Sequence, residues 1–435
     1  MQIDHQCPQC GGSVVLDETD RVLQCAFCKT QLFIQSKDYF RYLFPFPNTI
    51  GEEIIFVPYW RFRGMYFSCR TSGIKTTVVD KSFPALDNKA LPVTLGIRTQ
   101  SMKLKFAQKT ENARFIEPRL PFDKSSVETK NRLSYEIITT HSTRYIGINN
   151  GEDYVEIPAT DTELKENRLY YDAFVADKVS IIYSPLFIRD NTIYDAILER
   201  PVSKNADREN FSSDAFSKDW IIQFLPTLCP NCGWGLIAEK DSCILLCNHC
   251  NRAWEVSQNT FLPVKYAIAP SDNPQQKVTY LPFWKIKTDI RGINLQSYGD
   301  LLKLANLTKP VTEEKKRSDI YFWIPAFKIA PPIFLRIAKQ MTTANPQKEL
   351  LEELNNISCY PANVRLNEAI ESLKVVLAEI AINKKNFMPS LEEITITSGE
   401  SLLVFHPFID SNYELIEPEV KCGLLKNALR WGKNL

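Results

Sequence analysis

Eight cysteines occur in two copies of one pattern, and this pattern constrains the fold more than any other feature of the chain. The copies are Cys7-Pro-Gln-Cys10 with Cys25-Ala-Phe-Cys28, and Cys229-Pro-Asn-Cys232 with Cys247-Asn-His-Cys250. Fourteen residues separate the two pairs in each copy. A Cys-x-x-Cys turn points two thiolates at one ion, and a second turn at the far end of a hairpin supplies two more. The pattern therefore predicts two metal sites, each with four cysteine ligands.

The residues between the cysteine pairs predict a β-hairpin in each copy. Residues 13–16 and 21–24 read as short strands around a polar turn, and residues 236–238 and 244–246 repeat this arrangement. Gly11 and Gly233 follow the first pairs, where such turns commonly need a positive φ. Over about 22 residues each, both segments resemble zinc ribbons of the rubredoxin-knuckle type. The resemblance implies two structural Zn²⁺ ions.

Other uses of the eight cysteines are disulfide bonds, a redox dithiol and an iron site. Disulfides fit poorly with a cytosolic chain, and a redox Cys-x-x-Cys normally follows a strand and opens a helix. Iron is not excluded by the spacing. His249 lies inside the second ribbon, but four cysteines already complete a tetrahedral site. Because no coordination position stays open, the ions are predicted to be structural and not catalytic.

Further motifs recur in the two parts of the chain and predict an internal duplication. Pro58-Tyr-Trp60-Arg has a counterpart in Pro282-Phe-Trp284-Lys, Leu91-Pro92 in Ile324-Pro325, and Ser184-Pro185 in His406-Pro407. The offset is 222 residues at the first cysteine and again at the last of these prolines. Equal offsets at both ends favour two related halves over chance similarity.

These features predict an α+β protein in which each half is a zinc ribbon followed by a mixed sheet-and-helix domain. The predicted division is ribbon 1 at 1–42, domain 1 at 43–202, a linker at 203–222, ribbon 2 at 223–258 and domain 2 at 259–435. Helices are expected at 331–342 and 367–383, where apolar residues have helical spacing. Polar stretches at 111–132, 203–217 and 308–319 are expected to be loops or linkers.

The two tryptophan segments have strand character, with basic residues on one face. Period two places Arg61 and Arg63 opposite the core side, and Lys285 and Lys287 likewise. These four residues are candidates for contact with an anion or a partner, and the alternative is a solvated strand face. The proline just upstream in each copy predicts a strand start or an edge strand, since proline cannot donate to a ladder.

Charge disfavours nucleic acid as the partner. The chain has 52 Lys+Arg and 51 Asp+Glu. Residues 1–42 contain four basic and five acidic side chains, and residues 223–265 contain three of each. Each Zn²⁺ with four thiolates adds a further charge of −2, whereas phosphate binding needs positive charge.

The chain is predicted to be cytoplasmic, because it has neither a signal-like start nor an apolar run long enough for a transmembrane segment. The run 424–433 has the composition of a short interfacial helix. A helix docked on its own domain is the expected structure there, and peripheral membrane contact is not expected.

Signatures of catalysis are missing from the sequence. There is no Gly-x-Gly-x-x-Gly, P-loop, His-Glu-x-x-His or Gly-x-Ser-x-Gly motif. His406 is a candidate base, but Ser184 occupies the matching place in the other half. The chain is therefore predicted not to be an enzyme.

The leading hypothesis is a non-catalytic zinc-stabilised protein-interaction or assembly factor, such as a scaffold, adaptor or subunit of a larger complex. Outside the ribbons the chain resembles uncharacterised bacterial zinc-ribbon proteins that continue into a Pro-Tyr-Trp-Arg strand, and this resemblance implies no activity. A nucleic-acid-associated factor is the alternative. An enzyme with its site between the halves is the third hypothesis.

Overall fold

The computed structural model describes residues 1–47, 49–122, 138–139, 143–147, 154–158, 168–204, 211, 213–257, 260–272, 275–307, 312–353 and 358–432. The fold is mixed α and β and consists mainly of sheet. The first fifteen strands are β1 Gln2–Gln6, β2 Ser13–Asp17, β3 Val22–Gln24, β4 Gln31–Gln35, β5 Phe40–Leu43, β6 Ile54–Arg70, β7 Gly73–Pro84, β8 Lys103–Phe106, β9 Ala113–Phe115, β10 Ile138–Thr139, β11 Thr143–Gly147, β12 Tyr154–Pro158, β13 Leu169–Arg189, β14 Thr192–Asp195 and β15 Arg200–Lys204.

The remaining strands are β16 Gln223–Pro226, β17 Ile244–Cys247, β18 Arg252–Ser257, β19 Thr260–Val264, β20 Tyr266–Ile268, β21 Val278–Arg291, β22 Ile320–Pro325, β23 Thr395–Asp410, β24 Glu414–Glu417 and β25 Cys422–Leu425. The helices are α1 Arg98–Ser101, α2 Tyr298–Leu304, α3 Glu313–Arg317, α4 Pro331–Ala344, α5 Leu366–Glu371, α6 Leu373–Ile380, α7 Lys384–Phe387 and α8 Lys426–Gly432. None of the helices in the described part of the chain combines the length and apolarity that crossing a bilayer requires.

Two large sheets are built around long antiparallel strand pairs. The ten-stranded sheet has the order β15-β14-β13-β5-β8-β1-β2, with β6 beside β13 and with β7 and β9 beside β6. The six-stranded sheet has the order β22-β21-β23-β24-β25, with β20 beside β23. Three small sheets are β10-β11-β12, β16-β4-β3 and β17-β18-β19. The last two belong to the ribbons, and β1 and β2 of ribbon 1 join the large sheet.

Pro58 and Pro282 lie inside central strands, so the prediction of a strand start or edge was wrong. Pro58 pairs with Tyr183 on one side, and on the other side its carbonyl accepts the N–H of Ala85 at 3.0 Å. On that second side the neighbour of β6 changes from β9, which ends opposite Phe56, to β7. The missing proline N–H faces this change of neighbour, where no ladder bond is lost.

The second sheet has the same local arrangement around its proline. Pro282 pairs with Phe405, and its carbonyl accepts the N–H of Ala326 at 2.9 Å. On the facing strands, Pro325 pairs with Phe283, while in the first sheet Pro84 pairs with Tyr59. By this register the position of Pro325 in its sheet resembles that of Pro84, and not that of Pro92, with which the sequence motifs pair it.

The helical layer of the molecule comes from the second half of the chain. Within 43–202 the described residues are mainly strand and contain one helix, the four-residue α1. Helices from the second half cover this sheet. The ring centres of Phe334 in α4 and Phe67 in β6 are 5.9 Å apart, and the Lys374 amine in α6 lies over the ring of Tyr171. One continuous core joins residues of both halves.

The predicted helices are present with altered limits. The helix expected at 331–342 is α4, which ends where Asn345 takes a φ of 44°. The helix expected at 367–383 is broken into α5 and α6 at Ser372, whose hydroxyl donates to Ala369 O at 2.7 Å. In the polar stretch 308–319, the structure forms α3, and the Thr312 side chain caps its first turn. The stretches 111–132 and 203–217 lie partly outside the described residues.

Candidate metal centres

The four cysteines of each ribbon converge on one point. In ribbon 1, Cys7 Sγ lies 3.7 Å from Cys28 Sγ, and Cys10 Sγ lies 3.6 Å from Cys25 Sγ. In ribbon 2 the same two pairings, Cys229 with Cys250 and Cys232 with Cys247, both measure 3.5 Å. All four ligand atoms of a group lie within 4.8 Å of one another.

These distances fit a tetrahedral ion and do not fit disulfide bonds. Sulfurs bound to Zn²⁺ at about 2.3 Å lie about 3.8 Å apart in a tetrahedron, whereas a disulfide joins sulfurs at about 2.0 Å. Each group can therefore hold a metal ion such as zinc, in knuckles like those of zinc ribbons. A four-thiolate iron site has the same ligand set, so iron stays open as the alternative. His249 is not part of the group.

Backbone turns hold the sulfurs in place. The N–H of Cys7 donates to Gly12 O, and the N–H of Gly11 donates back to Cys7 O, both at 2.8 Å. Cys229 and Gly233 form the same turn in ribbon 2, at 2.7 and 2.8 Å. Gly11 and Gly233 have φ values of 73° and 74°, which confirms the predicted need for glycine.

The pKa values diverge within each group: one cysteine has a lowered pKa, whereas that of Cys10 is raised to about 11 and that of Cys250 to about 12. Bonds from the side chain and backbone of Thr30 lower the pKa of Cys28 to about 6. Burial raises the pKa of Cys229, but the backbone N–H groups of Cys232 and Asn231 outweigh burial and bring the pKa to about 7. Such bonds to the ligands orient them before the ion arrives.

The two ribbons pack side by side. The N–H groups of Arg21 and Val22 in ribbon 1 both donate to Lys240 O in ribbon 2, at 2.6 and 2.8 Å. The side-chain amides of Gln24 and Gln31 donate to Ala238 O at 3.2 and 3.1 Å. The ribbons share one core, whose members are Val22, Phe33, Cys229, Leu236, Leu245, Cys247, Trp254 and Val256.

A strand from the second half completes the sheet of ribbon 1. β16 pairs antiparallel with β4, from Gln223 opposite Gln35 to Pro226 opposite Leu32. In ribbon 2 the matching place beside β18 is taken by β19, which is next in sequence. The ribbons therefore form one unit, although about 200 residues separate them in the chain.

The four basic candidates differ in their surroundings. Arg61 is 2% exposed, pairs with Asp80 and lies 3.3 Å from Glu18. Arg63 is half-buried, with its Nη1 3.9 Å from the Glu18 carboxylate. The expected solvated strand face is therefore wrong for Arg61, because both sides of β6 are covered.

The two lysines on β21 remain partly accessible. Lys285 Nζ lies 4.8 Å from the ring centre of Tyr321 and 5.3 Å from that of Trp323, and burial lowers its pKa. Lys287 Nζ lies 2.5 Å from Asp319 Oδ2. These two lysines lie in the six-stranded sheet, whereas Arg61 and Arg63 lie in the ten-stranded sheet. The four basic candidates therefore do not share a strand.

A group of charged residues, all buried except the half-buried Lys178, lies where the ribbons meet both large sheets. We call it the charged junction; its members are Glu18, Arg61, Lys178, Asp241 and Lys328. Lys178 Nζ donates to Thr19 O at 2.7 Å. Asn363 connects two other members. Its Oδ1 accepts the backbone N–H of Lys328 at 2.7 Å, and its Nδ2 donates to the Asp241 carboxylate at 2.5 Å.

The pKa values of three members of the junction are lowered, by pairing with arginines for Glu18 and by burial for the two lysines. Burial raises the pKa of Glu18, but the charges of Arg61 and Arg63 outweigh burial and hold the pKa below its ordinary value. Burial lowers the pKa of Lys178 well below the usual range and that of Lys328 to about 8. No sequence pattern predicts this cluster, because its members come from five separate segments.

His406 is enclosed and paired. It lies on β23 with no exposed surface, and its Nε2 is 3.2 Å from Glu417 Oε1. Glu417 Oε2 also accepts the N–H of Val420 at 2.6 Å. Ser184 is likewise buried. A buried and paired ring cannot reach a substrate in this conformation.

Comparisons of the chain with protein-family models, with curated proteins and with solved structures give no match.

Proposed function

We propose that this chain is a non-catalytic, zinc-stabilised protein-interaction factor of the cytoplasm, acting as an adaptor or subunit of a larger assembly. The observation that carries the proposal is an exposed aromatic residue at each metal knuckle. Phe27 of ribbon 1 is 68% exposed and Trp234 of ribbon 2 is 62% exposed. Aromatic residues are enriched among those that contribute most of the binding energy at protein interfaces.

The attachment of the ribbons to each other and to the large sheets supports this role. Ribbon 1 is hydrogen-bonded to ribbon 2, and the charged junction attaches both to the large sheets. A partner would therefore meet two knuckles in a fixed relation. Fixed surfaces lose less conformational entropy on binding than mobile ones do, which favours affinity.

We also propose that the two halves are related by duplication and form a pseudo-symmetric frame. Asp195 and Glu417, 222 residues apart, are both buried, and both accept N–H groups of the turn that follows. Four residues later, Glu199 and Lys421 both have a positive φ, of 52° and 55°. The matching register around Pro58 and Pro282 supports the same relation.

The packing between the halves does not favour the hypothesis of an enzyme. Apolar residues of both halves fill the contact between the large sheets. A cavity of about 320 Å³ lies between the hairpin turns of the two ribbons. Its carboxylates have internal partners: Asp17 faces the N-terminal amine, Asp20 accepts the Asp17 N–H, and Asp241 accepts from Asn363.

Nucleic acid remains the alternative partner, and affinity measured against salt tests it. A nucleic-acid contact would weaken steeply as salt rises, and Arg61→Ala with Lys285→Ala would reduce that dependence. We expect little binding, because Arg61 is buried against carboxylates and Lys285 lies against aromatic rings.

Recovery of the tagged protein from its host at low salt, with and without nuclease, tests the leading proposal. We expect a stoichiometric protein that stays bound after nuclease treatment. Loss of all companions on nuclease treatment would replace the proposal with the nucleic-acid alternative. Recovery of the chain alone at every salt concentration would contradict both.

A further inference from the structure

Two equivalent positions form an aromatic platform at each ribbon tip. The first position is two residues after the second cysteine, Gly12 in ribbon 1 and Trp234 in ribbon 2. The second is the residue before the last cysteine, Phe27 and His249 respectively. Each tip thus has one large aromatic residue. In ribbon 1 it is Phe27 at the second position, and in ribbon 2 it is Trp234 at the first position.

Packing explains why the large residue changes position. A Cβ atom on Gly12 would lie 2.5 Å from Cδ2 of Phe27, so the ring in its present position leaves no room for a larger residue at position 12. In ribbon 2, Trp234 stacks on His249, with ring centres 5.0 Å apart and planes 15° from parallel. The stacking partner holds Trp234 in one orientation while most of the residue stays exposed.

The charge at the tips is negative once the metal is bound. The turns that form the tips, residues 7–12, 25–30, 229–235 and 247–252, contain no acidic residue and one basic residue per ribbon, Lys29 or Arg252. A Zn²⁺ with four thiolates has a net charge of −2, so each tip has a charge of −1. Cys10 and Cys28 are exposed, so this charge is open to solvent in ribbon 1.

We propose that the two platforms bind a cationic protein segment, whose arginine or lysine side chains lie over Trp234 and Phe27 beside the metal-bound sulfurs. This inference rests on the proposed function and adds the chemical class of the partner. An aromatic face attracts cations, and most strongly when it belongs to tryptophan. A nearby net negative charge adds to that attraction and repels phosphate.

The full-length, metal-loaded protein can be titrated with a fluorescein-labelled peptide of alternating arginine and serine, read by anisotropy. We expect the peptide to bind and Trp234→Ala to weaken binding about tenfold, with a smaller loss for Phe27→Ala. Trp431→Ala is the matched control, since Trp431 is 71% exposed on α8, far from the ribbons in sequence. It should leave the affinity unchanged. Two metal ions per chain in every variant would show that the ribbons are intact.

Three results would overturn the inference. They are equal binding of a peptide with glutamate in place of arginine, no binding of the arginine peptide, and tighter Trp234-dependent binding of oligo(dT). Recovery of the Trp234→Ala variant from the host separates this failure from failure of the proposed function. If the wild-type chain retains a partner that the variant loses, while the arginine peptide does not bind, the proposed function stands and the cationic class is wrong. If the peptide binds and no partner is recovered, the proposed function fails.

Discussion

Lys328 is almost completely enclosed, and burial lowers its pKa from 10.5 to about 8. Between these two pH values the unfolded chain holds a proton at this lysine that the folded chain has released. The free energy of unfolding therefore rises as pH increases through this window. At about 1.4 kcal/mol per pKa unit, the gain reaches up to about 3 kcal/mol.

Lys328→Met removes the titrating group and keeps a side chain of similar shape, so its stability should rise less with pH than that of the wild type. The lowered pKa of Lys178 leaves a smaller rise in both proteins. Urea unfolding between pH 7.5 and 10.5, the upper value being the ordinary pKa of lysine, measures the difference from wild type. Lys265→Met is the control, because Lys265 is exposed and its removal should leave the rise intact. Parallel curves for wild type and Lys328→Met would show that Lys328 is charged in the folded protein.

Glu18 is the acidic member of the charged junction that faces two arginines. Replacing it with glutamine leaves Asp80 as the one charged partner of Arg61 among the described residues, while the Arg61 side chain is 2% exposed. Breaking a buried pair in this way should destabilise the protein by about 3 kcal/mol.

Chemical denaturation at pH 7 of the Glu18→Gln and Glu53→Gln variants measures this cost against a matched pair. Glu53 pairs with Arg114 at the surface, where both side chains are partly exposed. Its replacement should cost less than about 1 kcal/mol. Equal losses in the two variants would show that burial adds nothing to the Glu18 pair.

At the scale of elements, the cysteine turns could be predicted because their information is local. The hairpin predicted between the turns of ribbon 1 was wrong, since β2 pairs with β1 and β3 pairs with β4. The spacing of four cysteines and a glycine after the first pair, such as Gly11, specify a turn through bonds between neighbouring residues. Pro58 shows the opposite case. Its place inside a central strand depends on β13, which pairs along one side of β6, and on β9, which precedes β7 on the other side, and both come from later parts of the chain. The charged junction was hidden for the same reason.

Cys7→Ser and Cys229→Ser should each reduce the metal content from two ions to one per chain. A serine hydroxyl is a poor replacement for a thiolate in a four-sulfur site. Elemental analysis of the purified variants measures the content and also distinguishes zinc from iron. Cys359→Ser is the control, since this half-buried cysteine belongs to neither group and its replacement should leave two ions bound. Two ions in Cys7→Ser would contradict the assignment of ribbon 1.

At the scale of the whole molecule, the two ribbons form one structural unit with a shared core. Their contact uses the backbone carbonyls of Ala238 and Lys240, which any residue type could supply. The sequence therefore contains no pattern that reports it. The same holds for the helices of the second half that cover the sheet of the first.

Loss of metal from ribbon 1 should therefore loosen ribbon 2 as well. In Cys7→Ser, hydrogen exchange should become faster in β16 and β17, because they pack on or pair with ribbon 1. Exchange in β22 and α4 should stay slow, since they lie in the core of the second half. Mass spectrometry of peptides from these segments reads both effects. Unchanged exchange in β17 would mean that the ribbons fold independently.

The strand β16 has a consequence for synthesis on the ribosome. β4 emerges early, whereas its neighbour β16 is about 190 residues later in the chain. At 5–20 residues per second, the delay is roughly 10 to 40 seconds. During this time the outer edge of β4 is open to pairing with other chains. The nascent protein therefore has a period of aggregation risk, which ends when the second ribbon begins to be made.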